Sequence, residues 1–117
     1  MGKILVVDDD AMNLRMAEFM LGKKGHEVVK AESGSEAIEM LSKDSFDLVL
    51  LDIEMPDMDG IETLAKVRED ACFDTPVAFL SGAEDIEELV EKYQVQGFIK
   101  KPFMPQEIQD KVEKLAR

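Results

Sequence analysis

Four apolar runs in this 117-residue chain end close to a residue able to do chemistry. Ile4–Val7 runs into Asp8, Asp9 and Asp10. Leu48–Leu51 runs into Asp52, with Glu54 two residues on. Val77–Leu80 ends at Ser81, and Phe98–Ile99 is followed by Lys101, just before Pro102. Brought together, the carboxylates of Asp8, Asp9 and Asp52 would repel one another, and at least one pKa would rise. A divalent cation relieves that conflict, and oxygen ligands in an open site suit Mg2+. A carboxylate beside such a cation can attack a phosphoryl group and form an aspartyl phosphate. The cation neutralises phosphoryl oxygens, and an amine such as Lys101 balances the remaining charge.

Whether these groups meet depends on the elements that carry them. Short β-branched or leucine-rich runs at Ile4–Val7, Val28–Val29, Leu48–Leu51, Val77–Leu80 and Phe98–Ile99 read as strands. Between them lie one-faced helical patterns. Gly34, Ala37, Ile38 and Leu41 share one face, as do Ile86, Leu89, Val90 and Tyr93, and Ile108, Val112, Leu115 and Ala116. A helix over 61–70 has Gly60, Leu64, Val67 and Ala71 as its expected inner face. The helix over 11–23 is apolar on a wide arc, which predicts deeper burial, with Met12, Met16 and Met20 as core filler. Capping boxes are expected at Ser33 with Glu36, Asp59 with Glu62 and Ser81 with Glu84, and Pro105 suits a first helical position. The order βαβαβαβαβα predicts an α/β fold, a doubly wound parallel five-stranded sheet of order 2-1-3-4-5. In that order strands 1, 3, 4 and 5 are neighbours, and their carboxyl ends bring the two acidic groups, the hydroxyl and the amine to one rim.

Length and composition fit one compact domain over 1–117, with 45% hydrophobic and 34% charged residues. A net charge of −12 argues against direct contact with nucleic acid or an anionic membrane. The single cysteine, Cys72, cannot close an internal disulfide and is expected to be inert. No apolar run is long enough to span a membrane, and a strand-like run follows Met1-Gly2-Lys3 directly. A cytoplasmic protein is expected.

Each residue also has a purely structural reading. Asp8 to Asp10 suit a turn and a helix cap. Asp52 precedes a turn-rich loop, Ser81 could simply cap a helix, and Lys101 could be a solvated lysine beside Lys100. Register weighs against these readings together, since each residue falls at the C-terminal end of a different strand.

The blocks "ILVVDDD", "DLVLLDIEMPDMDG", "FLSGA" and "KKPF" resemble the signature of the receiver domain of bacterial two-component response regulators, from Lys3 to Leu115 and in the expected order. The resemblance implies a flavodoxin-like fold similar to the chemotaxis regulator. It implies Asp52 as phospho-acceptor, Asp9 as direct Mg2+ ligand, Asp8 as a ligand through water, and the Glu54 backbone carbonyl as a further ligand. It also implies Lys101 as the lysine that contacts the phosphoryl group, Ser81 as the hydroxyl that moves toward it, Phe98 as the aromatic switch, and a cis Lys101-Pro102 bond. Phosphoryl groups would come from a phosphohistidine on a sensor histidine kinase or histidine phosphotransfer protein. The readout would be the surface of helix 4, strand 5 and helix 5, acting on a downstream protein or output domain.

Several positions depart from the commoner pattern. Phe98 lacks tyrosine's hydroxyl, so its switching rests on packing. Ser81 replaces threonine and has a looser rotamer preference. Ala83 is small and leaves the phosphoryl group open to water, while Glu54 would affect how water or a partner carboxylate approaches. Met104 lacks a capping hydroxyl, so the fifth helix is expected to fray at its start. Glu84, Asp85, Glu87, Glu88 and Glu91 read first as a solvated face and otherwise as a dock for a basic patch. His26 reads as an exposed loop residue. Three rival readings are an aspartate-nucleophile phosphatase, a flavin-binding flavodoxin and a docking module that takes no phosphate. The first wants its nucleophile after the first strand, the second would have its flavin phosphate repelled by three acids, and the third is at odds with intact Asp9, Asp52, Ser81 and Lys101.

Overall fold

The computed structural model describes residues 2–54, 60–70 and 75–116. Among them, β1 (Lys3–Val7), β2 (Glu27–Ala31), β3 (Leu48–Asp52), β4 (Val77–Ser81) and β5 (Gly97–Lys100) alternate with α1 (Ala11–Gly22), α2 (Gly34–Lys43), α3 (Gly60–Asp70), α4 (Ile86–Tyr93) and α5 (Pro105–Leu115). All the strand pairs are parallel, in the expected order β2-β1-β3-β4-β5. The central β3 and its neighbour β4 are buried along their whole length, whereas the edge strands β2 and β5 are only partly covered. This is why the central strands read as unbroken apolar runs.

Alternation along the strands divides the core into two layers. Leu5, Val7, Val49, Leu51 and Phe79 pack with Ala37 and Leu41 of α2, Leu64 and Val67 of α3, and Ile86 of α4. Ile4, Val6, Leu50, Leu80 and Ile99 pack with Leu14, Ala17 and Leu21 of α1 and with Ile108 and Val112 of α5. Two long-range hydrogen-bond sets tie helices together. The Gln109 amide donates to the Met20 carbonyl at 2.9 Å, joining α5 to α1. The Arg68 guanidinium of α3 donates to the carbonyls of Tyr93 and Gln94, closing the C-terminus of α4.

Several local expectations change. Met20 is buried, but Met12 is 61%, Met16 37% and Phe19 65% exposed, so α1 buries a narrower stripe than its apolar arc predicts. These three lie at i, i+4 and i+7, on the side of α1 turned away from the sheet. The Ser81–Glu84 capping box does not form. β4 runs through Ser81, whose hydroxyl accepts the Ala83 N–H, and α4 starts only at Ile86. At α2, Ser33 accepts the Glu36 N–H at 3.2 Å, while the Glu36 carboxylate reaches back to Glu32 rather than to Ser33. At α5, Pro105 takes the first position, and Glu107 accepts the Met104 N–H at 3.2 Å, supplying a cap that Met104 cannot. His26 is half-buried, and its Nδ1 accepts the Gly2 N–H at 3.0 Å, pinning the chain just before β1. Asp59, Ala71 and Cys72 lie outside the described residues. Asp10 caps α1 through the Met12 N–H, and the Lys101-Pro102 bond is cis.

One glycine is dictated by close approach. A Cβ on Gly60 would lie 2.4 Å from the Ile53 Cα and 2.5 Å from the Asp52 carbonyl oxygen. The start of α3 therefore presses on the backbone that ends β3, and only a residue without a side chain fits. Gly60→Ala is expected to lower stability by about 2 kcal/mol, the usual cost of overpacking a rigid contact. Urea unfolding midpoints of the two proteins measure it, and an unchanged midpoint would mean the loop yields freely.

Candidate functional site

Three strands end in the same local device. Asp8, Asp52 and Ser81 each use a side-chain oxygen to accept the backbone N–H two residues on. Asp10 N–H meets Asp8 Oδ1 at 2.9 Å, Glu54 N–H meets Asp52 Oδ1 at 2.9 Å, and Ala83 N–H meets Ser81 Oγ at 3.0 Å. Short polar side chains of this kind compete with the sheet ladder, turn the chain and fix their own orientation. Adjacent parallel strands then place the three turns side by side.

The remaining oxygens converge on Lys101. Its Nζ lies 2.9 Å from Asp8 Oδ2 and 3.1 Å from Asp52 Oδ2. Asp8 Oδ2 also accepts from the Asn13 side chain at 3.2 Å. Asp8 is wholly buried and Asp52 is 1% exposed, while Asp9 is open to solvent. Carboxylate oxygens of Asp8, Asp9 and Asp52 lie within 4.8 Å of one another. Ser81 is wholly buried and donates its hydroxyl to Glu54 Oε1 at 2.8 Å. All the residues singled out at the strand ends thus meet on one rim. Phe98 sits on β5, half-buried against the layer formed by Phe79 and Ile86, with the Lys111 ammonium 5.3 Å from its ring centroid.

The electrostatics follow from burial. Desolvation lifts the Asp52 carboxyl to about 6; the Glu54 N–H and the Lys101 charge pull it down, and the Asp8 charge pushes it up again. Burial works against the Lys101 ammonium as well, but its bonds to Asp8 and Asp52 outweigh that and hold its pKa above the ordinary value. Repulsion among the acids is therefore partly relieved from within the chain, by a lysine bridge rather than by a cation alone. Asn13 and Lys111 were not apparent in sequence as partners. Asn13 falls within one turn of the acidic run, which is a faint local signal; Lys111 carries none.

The donor set fits a hard cation. Clustered carboxylate oxygens, one of them solvent-facing, are the ligand type Mg2+ takes, with room left for water.

In the absence of divalent cations, the folded state favours neutral Asp52. Its contribution to stability is complete below the ordinary carboxylate pKa and is lost as pH rises through about 6. Asp52→Asn fixes the neutral form. At pH 8 the variant is expected to be more stable than the unaltered chain by about 1–2 kcal/mol, after discounting for solvent screening. The advantage should vanish by about pH 4. Urea midpoints at the two pH values test the sign, and equal midpoints at pH 8 would contradict it.

A family model described as the response regulator receiver domain matches residues 4–113. Transcriptional regulatory protein ResD of Bacillus subtilis is 38% identical over 122 residues, taking in 98% of this chain and 48% of that protein. SrrA of Staphylococcus aureus is 32% identical over 117 residues, with the same two shares. The chain spans about half the length of the curated relatives it matches. Chemotaxis protein CheY4 of Vibrio cholerae superposes with a TM-score of 0.89 at 28% identity, covering 99% of both chains. TrrA of Thermotoga maritima, solved in complex with Mg(2+)-BeF, superposes with a TM-score of 0.86 at 31% identity, covering 97% of this chain and 98% of that one. With its parallel five-stranded sheet and its cluster of acids and lysine at the strand ends, the chain belongs to the receiver domain family of two-component response regulators.

Proposed function

We propose that residues 1–117 form one receiver domain that takes a phosphoryl group on Asp52 and switches the surface formed by α4, β5 and α5. The observation that carries this reading is the pairing of buried Asp52 with Lys101 beside Asp8 and Asp9. Asp9, Asp52 and the Glu54 backbone carbonyl would hold Mg2+ directly, and Asp8 through water. Asp8 suits that outer role, because Lys101, Asn13 and the Asp10 N–H already use its oxygens. When bound, Mg2+ supplies charge neutralisation for the phosphoryl oxygens.

The chain's own residues do the rest. The Asp52 carboxylate attacks the phosphorus of a phosphohistidine, a new O–P bond forms, and the P–N bond to imidazole breaks. The leaving imidazole keeps the electron pair and takes a proton. Lys101, already at Asp52, pairs with the transferred oxygens, and the Ser81 hydroxyl turns to donate to one of them. Leaving its resting place, Ser81 vacates space that Phe98 can fill, biasing a two-state equilibrium. The domain catalyses its own phosphotransfer and slow dephosphorylation and works as a signalling acceptor, not as a turnover enzyme. Small Ala83 leaves water a path to the phosphoryl group.

The donor would be a sensor histidine kinase or a histidine phosphotransfer protein in the cytoplasm, and the recipient a downstream protein or output domain. The exposed acidic residues Glu87, Glu88 and Glu91 on α4 disfavour nucleic acid or an anionic membrane as a direct partner at that surface. No helix among the described residues is long and apolar enough to cross a membrane.

Incubation with Mg2+ and a small phospho-donor is expected to add about 80 Da by mass spectrometry, the mass of one phosphoryl group. Asp52→Asn should take up none. Uptake should also require Mg2+ and be depressed in Lys101→Ala. A chain that gains no mass under any of these conditions would favour a docking module.

A further inference from the structure

The buried Ser81 hydroxyl has its hydrogen-bonding capacity spent in a particular way. It accepts from the Ala83 N–H at 3.0 Å and gives its one proton to Glu54 Oε1 at 2.8 Å. The reading of Asp52 as phosphoryl acceptor requires that same proton for a phosphoryl oxygen. A hydroxyl has only one proton to donate, so the two bonds exclude each other. Glu54 stands two residues from Asp52, and its own N–H is fixed to Asp52 Oδ1. Its carboxylate is therefore held beside the reacting group by a short, braced turn. We propose that the Glu54 side chain is a latch that holds Ser81 in the resting position and sets how readily the phosphorylated domain switches. The latch rests on the Asp52 reading and adds a role for the Glu54 side chain, distinct from that of its backbone carbonyl.

The chemistry favours release over co-migration. Phosphorylated Asp52 would carry close to two negative charges where its carboxylate carried one. A carboxylate that followed Ser81 toward it would meet like charge, so the Ser81–Glu54 bond belongs to the resting state alone. Removing the latch should favour the switched state at no cost to the acceptor. A plain solvent-facing carboxylate would also repel an incoming anion, and the test has to separate the two effects.

Beryllium fluoride with Mg2+ serves as a phosphoryl surrogate, and its apparent affinity is read by titration calorimetry. Glu54→Ala is expected to bind about ten- to a hundredfold more tightly than the unaltered chain, the range for a lost bond to a charged acceptor. In a Ser81→Ala background the same substitution should change affinity far less, since no hydroxyl remains to be held. Glu54→Gln keeps an acceptor but not the charge, and should fall between Glu54→Ala and the unaltered chain. Equal gains with and without the Ser81 hydroxyl, or Glu54→Gln matching Glu54→Ala, would assign the effect to charge alone and overturn the latch. No gain in Glu54→Ala, while the unaltered chain binds, would overturn it as well. If the unaltered chain does not bind, or Asp52→Asn binds equally well, the Asp52 reading itself fails and the latch falls with it.

Discussion

The rest of the molecule is arranged around one costly feature, a carboxylate buried at the end of the central strand beside a second buried carboxylate. Asp52 and Asp8 are both closed to solvent, and a single ammonium, that of Lys101, bridges them. Asp9 stands beside them at the rim, the carboxylate oxygens of the three aspartates lying within 4.8 Å of one another. Isolated buried charge is prohibitively expensive, and pairing only partly offsets it, which is why desolvation still dominates the Asp52 carboxyl. Under the proposed function, the same conflict would make the site responsive. A fully neutralised cluster would have little reason to take up a cation or to rearrange when charge is added.

Such a cluster needs rigid support, and the sheet provides it economically. β1, β3 and β4 are adjacent, and each ends in a side chain that accepts the N–H two residues along. The turn does two things at once. It stops the strand, and it leaves one oxygen or hydroxyl proton aimed at the rim. Gly60 then brings the start of α3 against the Asp52–Ile53 backbone, so β3 cannot relax outward without dislodging a helix. Lys101 arrives from β5 next door, two residues beyond the Ile99 that anchors that strand in the core.

Much of this was legible in the sequence, for a definite reason. Parallel strands buried on both faces must be apolar throughout, so the central ones stood out, and alternation with helices fixed the doubly wound order. Once the order is known, polar residues at the carboxyl ends of β1, β3, β4 and β5 are candidates for one shared cluster. What stayed hidden depended on distance or on competition between local rules. Ser81 and Glu84 have the spacing of a capping box, but the hydroxyl is taken by Glu54, twenty-seven residues away in sequence. Met12, Met16 and Phe19 extend the apolar arc of α1, yet only the stripe through Leu14, Ala17 and Leu21 reaches the sheet. An apolar arc reports composition, whereas the number of residues a helix can bury is set by how it lies on its neighbours. The Lys111 contact with Phe98 joins α5 to β5 and leaves no periodic trace.

Strand parity also relates Ser81 to Phe98. Phe79 and Ser81 lie two apart on β4, so their side chains share one face of the sheet. Phe79 pairs across the ladder with Phe98, and Ser81 pairs with Lys100. Phe98 packs into the layer that holds Phe79, so Ser81 and Phe98 stand on the same side of neighbouring strands, two residues out of register. In the proposed switch, a displacement of Ser81 toward Asp52 would open space on the side of the sheet where Phe98 stands, without any change in strand pairing. The Lys111 ammonium lies 5.3 Å from the centroid of that ring, a contact worth about 0.5–1 kcal/mol at exposed sites. Two modest contacts hold these side chains, a hydrogen bond from Ser81 to Glu54 and a cation–π contact on Phe98. Under the proposed function, neither would be strong enough to lock the domain against the charge that one phosphoryl group would add.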